Sequence, residues 1–273
     1  MPRTKRWNIH PTVDGVKYVV VSSWKYFPDL INQKLLDLRG YVFRGHRSAG
    51  WQLESTLDRA LKNIPASTRF TRMTRHLEHF QLAVRGRRGT NPPTMKTEND
   101  WWALGQHHGL ATPLLDWTAS PYAAAFFAYE NENNPTEPRA IWAIHFHNIE
   151  HKKNPAIIAA TNAASPSGSA PSSPKINPPI VEFFRPLTDE NQRLVNQSGL
   201  FTRAPLGTDI ETWVKTHYKG DTFCALLKIV LPDRDRQFCL KSLNRMNINH
   251  ATLFPDLYGS SHFCNLELKI NAY

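Results

Sequence analysis

The sequence predicts a single α+β domain, on the basis of three observations. Short apolar runs typical of buried strands recur along the chain, at residues 16–21, 41–43, 141–146 and 223–231. Segments with helical periodicity lie between them, the most regular at residues 68–85. With 273 residues, of which 41% are hydrophobic and 21% charged, the chain has the composition of a globular protein and can bury a sizeable core.

Two segments fall outside this pattern and set the predicted domain limits. Residues 1–13 are polar and basic, and we expect a flexible tail there, with the domain covering residues 14–273. Residues 151–179 are rich in Ala, Ser, Pro and Asn, a composition that cannot assemble a core. Because the segments on either side look incomplete alone, we predict a low-complexity loop inserted in one domain.

The first strands and the first helix follow from caps and turn residues. The β-prone run at residues 16–21 is followed by a serine pair at 22–23, which can cap a helix whose apolar residues recur at helical spacing. Gly40 is predicted to end that helix. The apolar run at residues 41–43 is typical of a buried strand, and it places Arg44 at its end.

Residues 68–85 are predicted to form an amphipathic helix. Its apolar stripe steps by three and four residues through Phe70, Met73, Leu77, Phe80 and Val84. A basic arc adjoins the stripe, given a rotation of about 100° per residue, and comprises Arg69, Arg72, Arg75, His76 and His79. Two interpretations of the arc remain open. It is either a solvated face, or a nucleic-acid-binding ridge that continues into Arg85, Arg87, Arg88 and Lys96.

The next segment brings polar residues into turns between buried elements, where binding and catalysis usually occur. Asp100 is a candidate N-cap for a helix that Gly109 ends. A short strand is predicted to end at Asp116, and Ser120 followed by Pro121 is a strong signal for another helix start. That helix is apolar on nearly all sides, so we expect it to be buried.

The charge balance favours polyanionic partners. A formal net charge of +10 promotes binding to phosphates, those of nucleic acid above all, although a well-solvated basic surface is the alternative. No apolar run approaches membrane-spanning length, and the N-terminus leads into no hydrophobic signal core. We therefore expect a cytoplasmic protein that has no membrane partner.

Several common catalytic signatures are missing from the sequence. It contains no Gly-x-Ser-x-Gly elbow, no Gly-x-x-x-x-Gly-Lys loop and no Gly-x-Gly-x-x-Gly turn, which disfavours hydrolase, P-loop and ordinary dinucleotide dehydrogenase chemistry. Three histidine pairs invite a metal, but none has a carboxylate at a recognised ligand spacing. They are His76 with His79, His107 with His108, and His145 with His147. We therefore expect no metal.

The strongest remaining candidate for ligand binding is Arg44. Arginine is suited to bidentate capture of phosphate, and Gly45 after it allows a ligand or a backbone to approach closely. Alternatively, Arg44 pairs with a structural carboxylate such as Asp116 and locks two turns together. Both can hold, because such pairing preorganises a binding arginine.

Four motifs of this chain resemble those of the FRG domain, named for its Phe-Arg-Gly sequence. The first is Phe43-Arg44-Gly45 followed by Trp51, Leu53, Leu57 and Arg59. The second runs from Gln106 through Thr118, with Ser120 and Pro121 after it. The third comprises Asn191, Arg193, Gln197, Gly199 and Phe201, and the fourth runs from Leu253 to Gly259. These matches extend from residue 41 to residue 259.

The chain also resembles ADP-ribosyltransferases in the order of three elements: a strand that carries Phe43-Arg44-Gly45, a strand-to-helix turn that carries Thr118 and Ser120, and a late strand. This resemblance implies a mixed, split β-sheet flanked by helices and NAD⁺ as substrate. By that resemblance Arg44 binds the diphosphate, with Gly45 beside it, and the rest of the NAD site comprises His107, His108, Thr118 and Ser120. The family's catalytic glutamate has no clear counterpart near residues 191–197, where Asp189 and Glu190 are the only carboxylates. The resemblance leaves Glu190, Gln197 and Asp116 as candidates for that role.

The implied function is transfer of ADP-ribose from NAD⁺ to a macromolecule, with RNA or DNA ahead of protein because of the basic ridge. Such an activity is toxic when unrestrained, so a bacterial toxin in phage defence or a toxin–antitoxin system, with a neutralising antitoxin partner, is a reasonable extension. Two alternatives remain. One is a non-catalytic nucleic-acid-binding module in which Trp51, Trp101 or Trp117 stacks on bases. The other is NAD⁺ hydrolysis without an acceptor.

Overall fold

The computed structural model describes residues 5–36, 39–132, 134, 136–150, 180–185 and 200–273. The predicted inserted loop at residues 151–179 lies outside the described residues, as do residues 1–4 of the predicted tail. The strands are, in chain order, β1 (Trp7–Ile9), β2 (Val16–Val21), β3 (Tyr41–His46), β4 (Leu114–Trp117), β5 (Arg139–His145), β6 (Glu182–Phe184), β7 (Leu200–Arg203) and β8 (Leu226–Leu231).

Nine α-helices have bounds within these described segments. They are α1 (Phe27–Leu30), α2 (Thr56–Ala60), α3 (Ala66–Ala83), α4 (Glu98–His107), α5 (Pro121–Tyr129), α6 (Ile210–His217), α7 (Arg236–Arg245), α8 (His250–Leu253) and α9 (Leu257–Lys269). A 3₁₀ turn precedes α1 and a π turn follows it, at Trp24–Tyr26 and Ile31–Leu35. None of the helices in the described segments has the length and hydrophobicity needed to cross a membrane.

The strands form two sheets that meet at one point. The larger sheet has the order β1-β2-β8-β5-β3; its β2–β8 pair is parallel and its other pairs are antiparallel, so the sheet is mixed. The smaller sheet is antiparallel, with the order β4-β7-β6. The backbones of Phe43 and Thr118 exchange two hydrogen bonds, of 2.7 and 2.8 Å, and join the two sheets there. The prediction of an α+β fold with a mixed sheet flanked by helices is confirmed.

Helices cover both faces of the larger sheet. On one face α5 and α7 pack over apolar side chains of β2, β5 and β8, and this cluster is the largest core. On the other face Trp213 and Val214 of α6 belong to the same apolar cluster as Trp142 of β5. Residues 139–144 of β5 are buried on both faces for that reason. An unbroken apolar run such as residues 140–144 is typical of a strand that is covered on both faces.

The predicted flexible tail is wrong for residues 7–9, which form strand β1. Their backbone pairs antiparallel with β2, in the register Trp7 to Val21 and Ile9 to Val19. The side chains of β1 are exposed or half-buried, because the strand lies at the edge of the sheet. Backbone hydrogen bonds to β2 thus order a segment whose polar composition predicts disorder.

The apolar stripe predicted for α3 is buried only in part. Met73 and Leu77 are buried against Leu57, Leu61 and neighbouring residues in a small separate core, which involves α2 and α4. Phe70, predicted to share that face, is 66% exposed. Hydrophobic periodicity indicates which side of a helix is apolar, but burial also requires another element to cover that side.

Helix α5 is buried against β3, as its apolar sequence predicts, and Gly45 makes this approach possible. A Cβ atom on Gly45 would lie 2.0 Å from the carbonyl oxygen of Ala124 and 2.6 Å from the backbone nitrogen of Ala128. Real atoms do not approach so closely, so only glycine allows the helix to lie where it does. The sequence predicted a close approach of a ligand or a backbone at Gly45, and the structure shows that the backbone of α5 makes it.

Candidate functional site

A cavity of about 370 Å³ lies where the two sheets meet, within the size range of small-molecule sites. Its polar lining comes from β3, α4, β4 and α5 or their ends and consists of Arg44, Gln106, His107, Asp116, Thr118 and Glu130. Its apolar walls are mostly aromatic and consist of Phe43, Ala103, Trp117, Phe127, Phe201 and Phe254, with Gly45 between them. The arrangement suits a ligand with a planar ring and a charged group.

Arg44 points into the cavity with part of its guanidinium uncommitted. Its Nη1 atom donates to the backbone oxygen of Asp116 at 2.9 Å and lies 3.5 Å from the carboxylate Oδ2. Its Nε atom donates to Nε2 of His46 at 3.3 Å. Among the described residues, no acceptor lies within hydrogen-bond distance of Nη2. Arg44 is therefore paired with Asp116, as one interpretation held, while its capture of an anionic ligand stays a prediction.

Burial and charge act in opposite directions on Arg44. Burial lowers the pKa of the Arg44 guanidinium, and the Asp116 carboxylate raises it. Because a guanidinium is not deprotonated in proteins, the side chain keeps its positive charge. It is 23% exposed, so a ligand entering the cavity can reach it.

A chain of hydrogen bonds fixes the Asp116 carboxylate. The Nε2 atom of Gln106 donates to Oδ2 of Asp116 at 2.6 Å, and the hydroxyl of Thr112 donates to Oε1 of the same glutamine. Thr112 is fully buried, so the chain is anchored in the core. The sequence predicted Asp116 as a site residue but missed the role of Gln106, which the Gln-His start of the second motif could have suggested.

His46 accepts a hydrogen bond from Arg44 as a neutral imidazole. It is 6% exposed, and burial, followed by the positive charge of Arg44, lowers its pKa to about 3. A neutral imidazole can accept the Nε–H of Arg44, whereas an imidazolium cannot. Sequence reasoning missed His46, which lies two residues beyond Arg44 in an ordinary strand pattern.

This shift predicts a loss of stability in weak acid. In the unfolded chain His46 has an ordinary pKa near 6.5, so between pH 6.5 and 3 the unfolded state binds a proton that the folded state excludes. The contribution of neutral His46 to the free energy of unfolding is therefore complete above pH 6.5 and falls as pH decreases. We expect a loss of about 2 kcal/mol between pH 7 and 5 from this group. Urea unfolding of the parent and of His46→Gln, whose amide can still accept from Arg44, measures it; parallel pH curves would contradict the assignment.

The other predicted NAD-site residues divide between the cavity wall and its support. Thr118 and His107 line the cavity. Ser120 caps α5 by accepting from the backbone nitrogen of Ala123 at 3.2 Å and is not a lining residue, although its own backbone nitrogen donates to the Thr118 hydroxyl at 3.2 Å. His108 packs edge-on against His107, with ring centroids 4.8 Å apart, and does not line the cavity either.

The predicted catalytic candidates Glu190 and Gln197 lie outside the described residues. The cavity contains a carboxylate that sequence reasoning missed, that of Glu130, which follows the last residue of α5. Its Oε2 atom lies 2.9 Å from Nε2 of His250. The signal in the sequence was an acidic residue directly after a helix that is apolar on nearly all sides.

Two arginines bind the carbonyls at the C-terminal end of α5. Arg139 donates through Nη1 to the carbonyls of Ala128 and Asn131, at 2.7 and 2.9 Å. Arg236 donates through Nε and Nη2 to those of Tyr129 and Glu130, at 2.9 and 2.8 Å. Arg139 is fully buried and pairs with Asp233. The helix end beside Glu130 is therefore fixed in place.

The residues of the predicted basic ridge do not all lie on one surface. A second groove, of about 620 Å³, runs between α2 and α3, and its lining includes Arg72, Arg75, His76 and His79 but no carboxylate. Arg69 instead donates to the carbonyls of Ile64 and Lys62, at 2.8 and 2.9 Å, and secures the turn before α3.

The basic residues beyond α3 also differ from one another. Arg88 donates to the carbonyl of Pro93 and packs over the ring of Trp101, at 5.1 Å. Arg85 and Arg87 are exposed. No group of three His, Cys, Asp or Glu residues arranged to hold a metal ion is present within the described segments.

Residues 39–137 match the family model of the FRG domain. The matched segment contains β3, α2, α3, α4, β4 and α5, and with them Arg44, Gln106, Asp116, Thr118 and Glu130. The two later motifs, at residues 191–201 and 253–259, lie beyond it. No curated protein and no solved structure matches the chain.

Proposed function

We propose that this chain, which carries an FRG domain at residues 39–137, transfers ADP-ribose from NAD⁺ to a macromolecule. The observation that carries the proposal is the cavity between the sheets, in which Arg44, a positioned carboxylate and aromatic walls face one another. The guanidinium supplies donors for a diphosphate, and Asp116 supplies acceptors for ribose hydroxyls. The aromatic side chains supply surfaces on which a nicotinamide ring can pack.

Each polar residue has a distinct role in this proposal. Arg44 binds the diphosphate through the donors that Asp116 and His46 leave uncommitted. Asp116 orders Arg44 and the ribose, while Thr118 and His107 shape the nicotinamide end of the cavity. Ser120 and His108 act indirectly, by holding Thr118 and His107 in position.

The direct test is incubation of the purified chain with NAD⁺ labelled in its adenylate part, together with RNA, DNA or lysate protein. The proposal expects nicotinamide release and label transferred to one acceptor class, with nucleic acid favoured. Nicotinamide release without transfer would assign the chain as an NAD⁺ hydrolase. If the chain neither binds NAD⁺ nor releases nicotinamide, the proposal is wrong.

Nucleic acid is the favoured acceptor because of the basic groove beside α3. Its lining presents two arginines and two histidines without a carboxylate, on a chain with a net charge of +10. Phosphates that occupy such a groove release counterions, so binding should weaken steeply with salt.

Charge reversal at Arg72 and Arg75 should therefore weaken nucleic-acid binding and flatten its salt dependence. Two lost phosphate contacts correspond to a decrease of about 1.4–1.8 in the slope of log Kd against log salt. Fluorescence anisotropy with labelled RNA and DNA measures the slope. Arg69 is left unchanged because it secures the turn before α3.

The matched control is reversal of Lys241 and Arg245 on α7, which changes net charge equally. Transfer to nucleic acid should fall in the Arg72/Arg75 variant while slow NAD⁺ hydrolysis persists. An unaltered salt slope would show that the groove is solvated surface and that the acceptor binds elsewhere.

A second candidate function is nucleic-acid binding without catalysis. It is favoured by Trp51, which is 47% exposed and lies under the guanidinium of Arg47, at 5.0 Å, as an aromatic surface for base stacking. Trp117, by contrast, is 2% exposed and its indole donates to Thr202. Binding of nucleic acid without any NAD⁺ consumption would favour this candidate.

We also propose a neutralising partner. Unrestrained consumption of NAD⁺ or modification of nucleic acid is toxic to the cell that makes the enzyme, as expected for a bacterial toxin in phage defence or a toxin–antitoxin system. Expression of the chain should arrest growth, and Arg44→Lys should relieve the arrest. Equal growth arrest by the parent and by Arg44→Lys would show that the toxicity does not arise from the proposed chemistry.

A further inference from the structure

We propose that Glu130 is the catalytic carboxylate of the cavity and that His250 is its positioning residue. The inference rests on the proposed function, since it assigns a step of ADP-ribose transfer. Glu130 lies within the FRG-matched segment, whereas His250 lies more than a hundred residues away and reaches the same site through the fold.

The hydrogen bond between the two residues orients the carboxylate. A carboxylate only accepts hydrogen bonds, so Nε2 of His250 carries the proton and donates it to Oε2 of Glu130, across 2.9 Å. Among the described residues Oε1 accepts no hydrogen bond, and the side chain of Glu130 is 20% exposed. One carboxylate oxygen is therefore held and the other is left for a substrate.

The hydrogen bond to Glu130 is the one that the His250 side chain makes among the described residues. It is 5% exposed and lies among aromatic rings, with centroids 4.8 Å from Phe126 and 5.9 Å from Phe254. Its Nδ1 atom is buried and has no hydrogen-bond partner in the part of the chain that the structure describes. Buried polar atoms normally have partners, so an imidazole that makes a single hydrogen bond, to a carboxylate in a cavity, indicates a functional demand.

The backbone beside His250 is itself fixed. Asn249 caps α8, with its side chain accepting from the backbone nitrogen of Thr252 at 3.1 Å and the Thr252 hydroxyl reciprocating. Asn249 also donates to the side chain of Asn244 on α7, at 2.8 Å. Glu130 is held from the other side, because Arg236 binds its carbonyl. The carboxylate is thus preorganised at both ends of its hydrogen bond.

Glu130 suits the reaction better than Asp116 does. Oδ2 of Asp116 already accepts from Gln106 and lies beside Arg44, so much of its charge is offset. Glu130 accepts one side-chain hydrogen bond, from His250, and has aromatic rings nearby, so its Oε1 atom is available to interact with positive charge on a substrate.

The chemical step proceeds at C1′ of the nicotinamide ribose. The bond from C1′ to the pyridinium nitrogen breaks, and its electron pair leaves with nicotinamide, which becomes neutral. Positive charge develops on the ribose, and Oε1 of Glu130 stabilises it. An acceptor hydroxyl or amine, or water, then forms a bond to C1′, and its proton passes to Glu130 and on to solvent.

Four variants of the full chain test the assignment: Glu130→Gln, His250→Gln, His250→Ala, and the control Glu132→Gln. Glu132 is a neighbouring carboxylate on the surface, 65% exposed and outside the cavity lining. NAD⁺ affinity is measured by calorimetry, and kcat and KM by nicotinamide release. Thermal melting checks that each variant is folded.

We expect Glu130→Gln to lower kcat about 100-fold while the Kd for NAD⁺ changes less than about threefold, because the amide keeps the shape of the side chain and loses its charge. The control should match the parent. His250→Ala should lower kcat about tenfold, and His250→Gln should recover part of that loss, since its amide can donate near the position of Nε2.

The outcomes separate this inference from the proposed function. If Glu130→Gln is folded, binds NAD⁺ and releases nicotinamide at the parent's rate, the inference is overturned and the proposed function stands. If the two His250 variants are folded and equal to the parent in kcat, the positioning role is overturned. A parent that neither binds nor cleaves NAD⁺ overturns both.

Discussion

Replacement of Arg44 by lysine is expected to lower kcat/KM for NAD⁺ consumption by about two to three orders of magnitude. Lysine keeps the positive charge but presents a compact ammonium in place of the planar guanidinium. That ammonium cannot at once donate to the Asp116 carbonyl and to His46 and still offer paired donors to a diphosphate. The loss should be seen mainly as weaker NAD⁺ binding.

Nicotinamide release and calorimetric NAD⁺ affinity measure this effect, with thermal melting as the test of the fold. Arg245→Lys is the matched control. It makes the same arginine-to-lysine change at an exposed position on α7, outside the cavity. A folded Arg44→Lys variant that turns over NAD⁺ like the parent would make Arg44 a structural residue and remove the basis of the enzyme assignment.

Substitution of Gly45 by alanine is expected to destabilise the fold by about 3 kcal/mol, the upper part of the range for overpacking. The added Cβ would meet backbone atoms of α5, at 2.0 and 2.6 Å, and a helix backbone cannot move aside as a side-chain end can. Helix α5 would have to shift from β3, which would disturb the largest core and the cavity together.

Gly50→Ala is the control for this substitution, since a Cβ at Gly50 would lie 3.4 Å from its nearest neighbour, the Ser48 hydroxyl. Urea unfolding of both variants gives the difference in free energy. Equal stabilities would mean that α5 can adjust without cost. If the prediction holds, an inactive Gly45 variant reports a damaged fold and carries no information about NAD⁺ contacts.

Much of the fold follows from local pattern, and the departures have identifiable causes. The strands at 16–21 and 41–43 and the buried helix after Ser120 were predictable, because each has an apolar period and a cap or turn residue. Strand β1 was not, since an edge strand is ordered by backbone pairing that side-chain composition does not report. The exposure of Phe70 likewise depends on which elements cover α3.

The candidate site was predictable where motif and strand end coincide. Arg44 and Asp116 end predicted strands, and the Phe43–Thr118 bridge brings them together. The pairing of Glu130 with His250 was not predictable, because residues 120 positions apart meet only through the packing of α8 against α5. His46 was hidden for a similar reason, since its low pKa results from burial that the strand pattern alone does not give.

The arginines at the end of α5 have an electrostatic consequence for the cavity. The C-terminal end of a helix has negative potential, so a carboxylate there is disfavoured by about 0.3–1 kcal/mol. Glu130 occupies that position, but two guanidinium groups bind the four carbonyls around it. The two guanidinium groups therefore offset the field of the helix end, so that at this end of the cavity the proposed dinucleotide would meet the charge of the Glu130 carboxylate without the added negative potential of the α5 C-terminus.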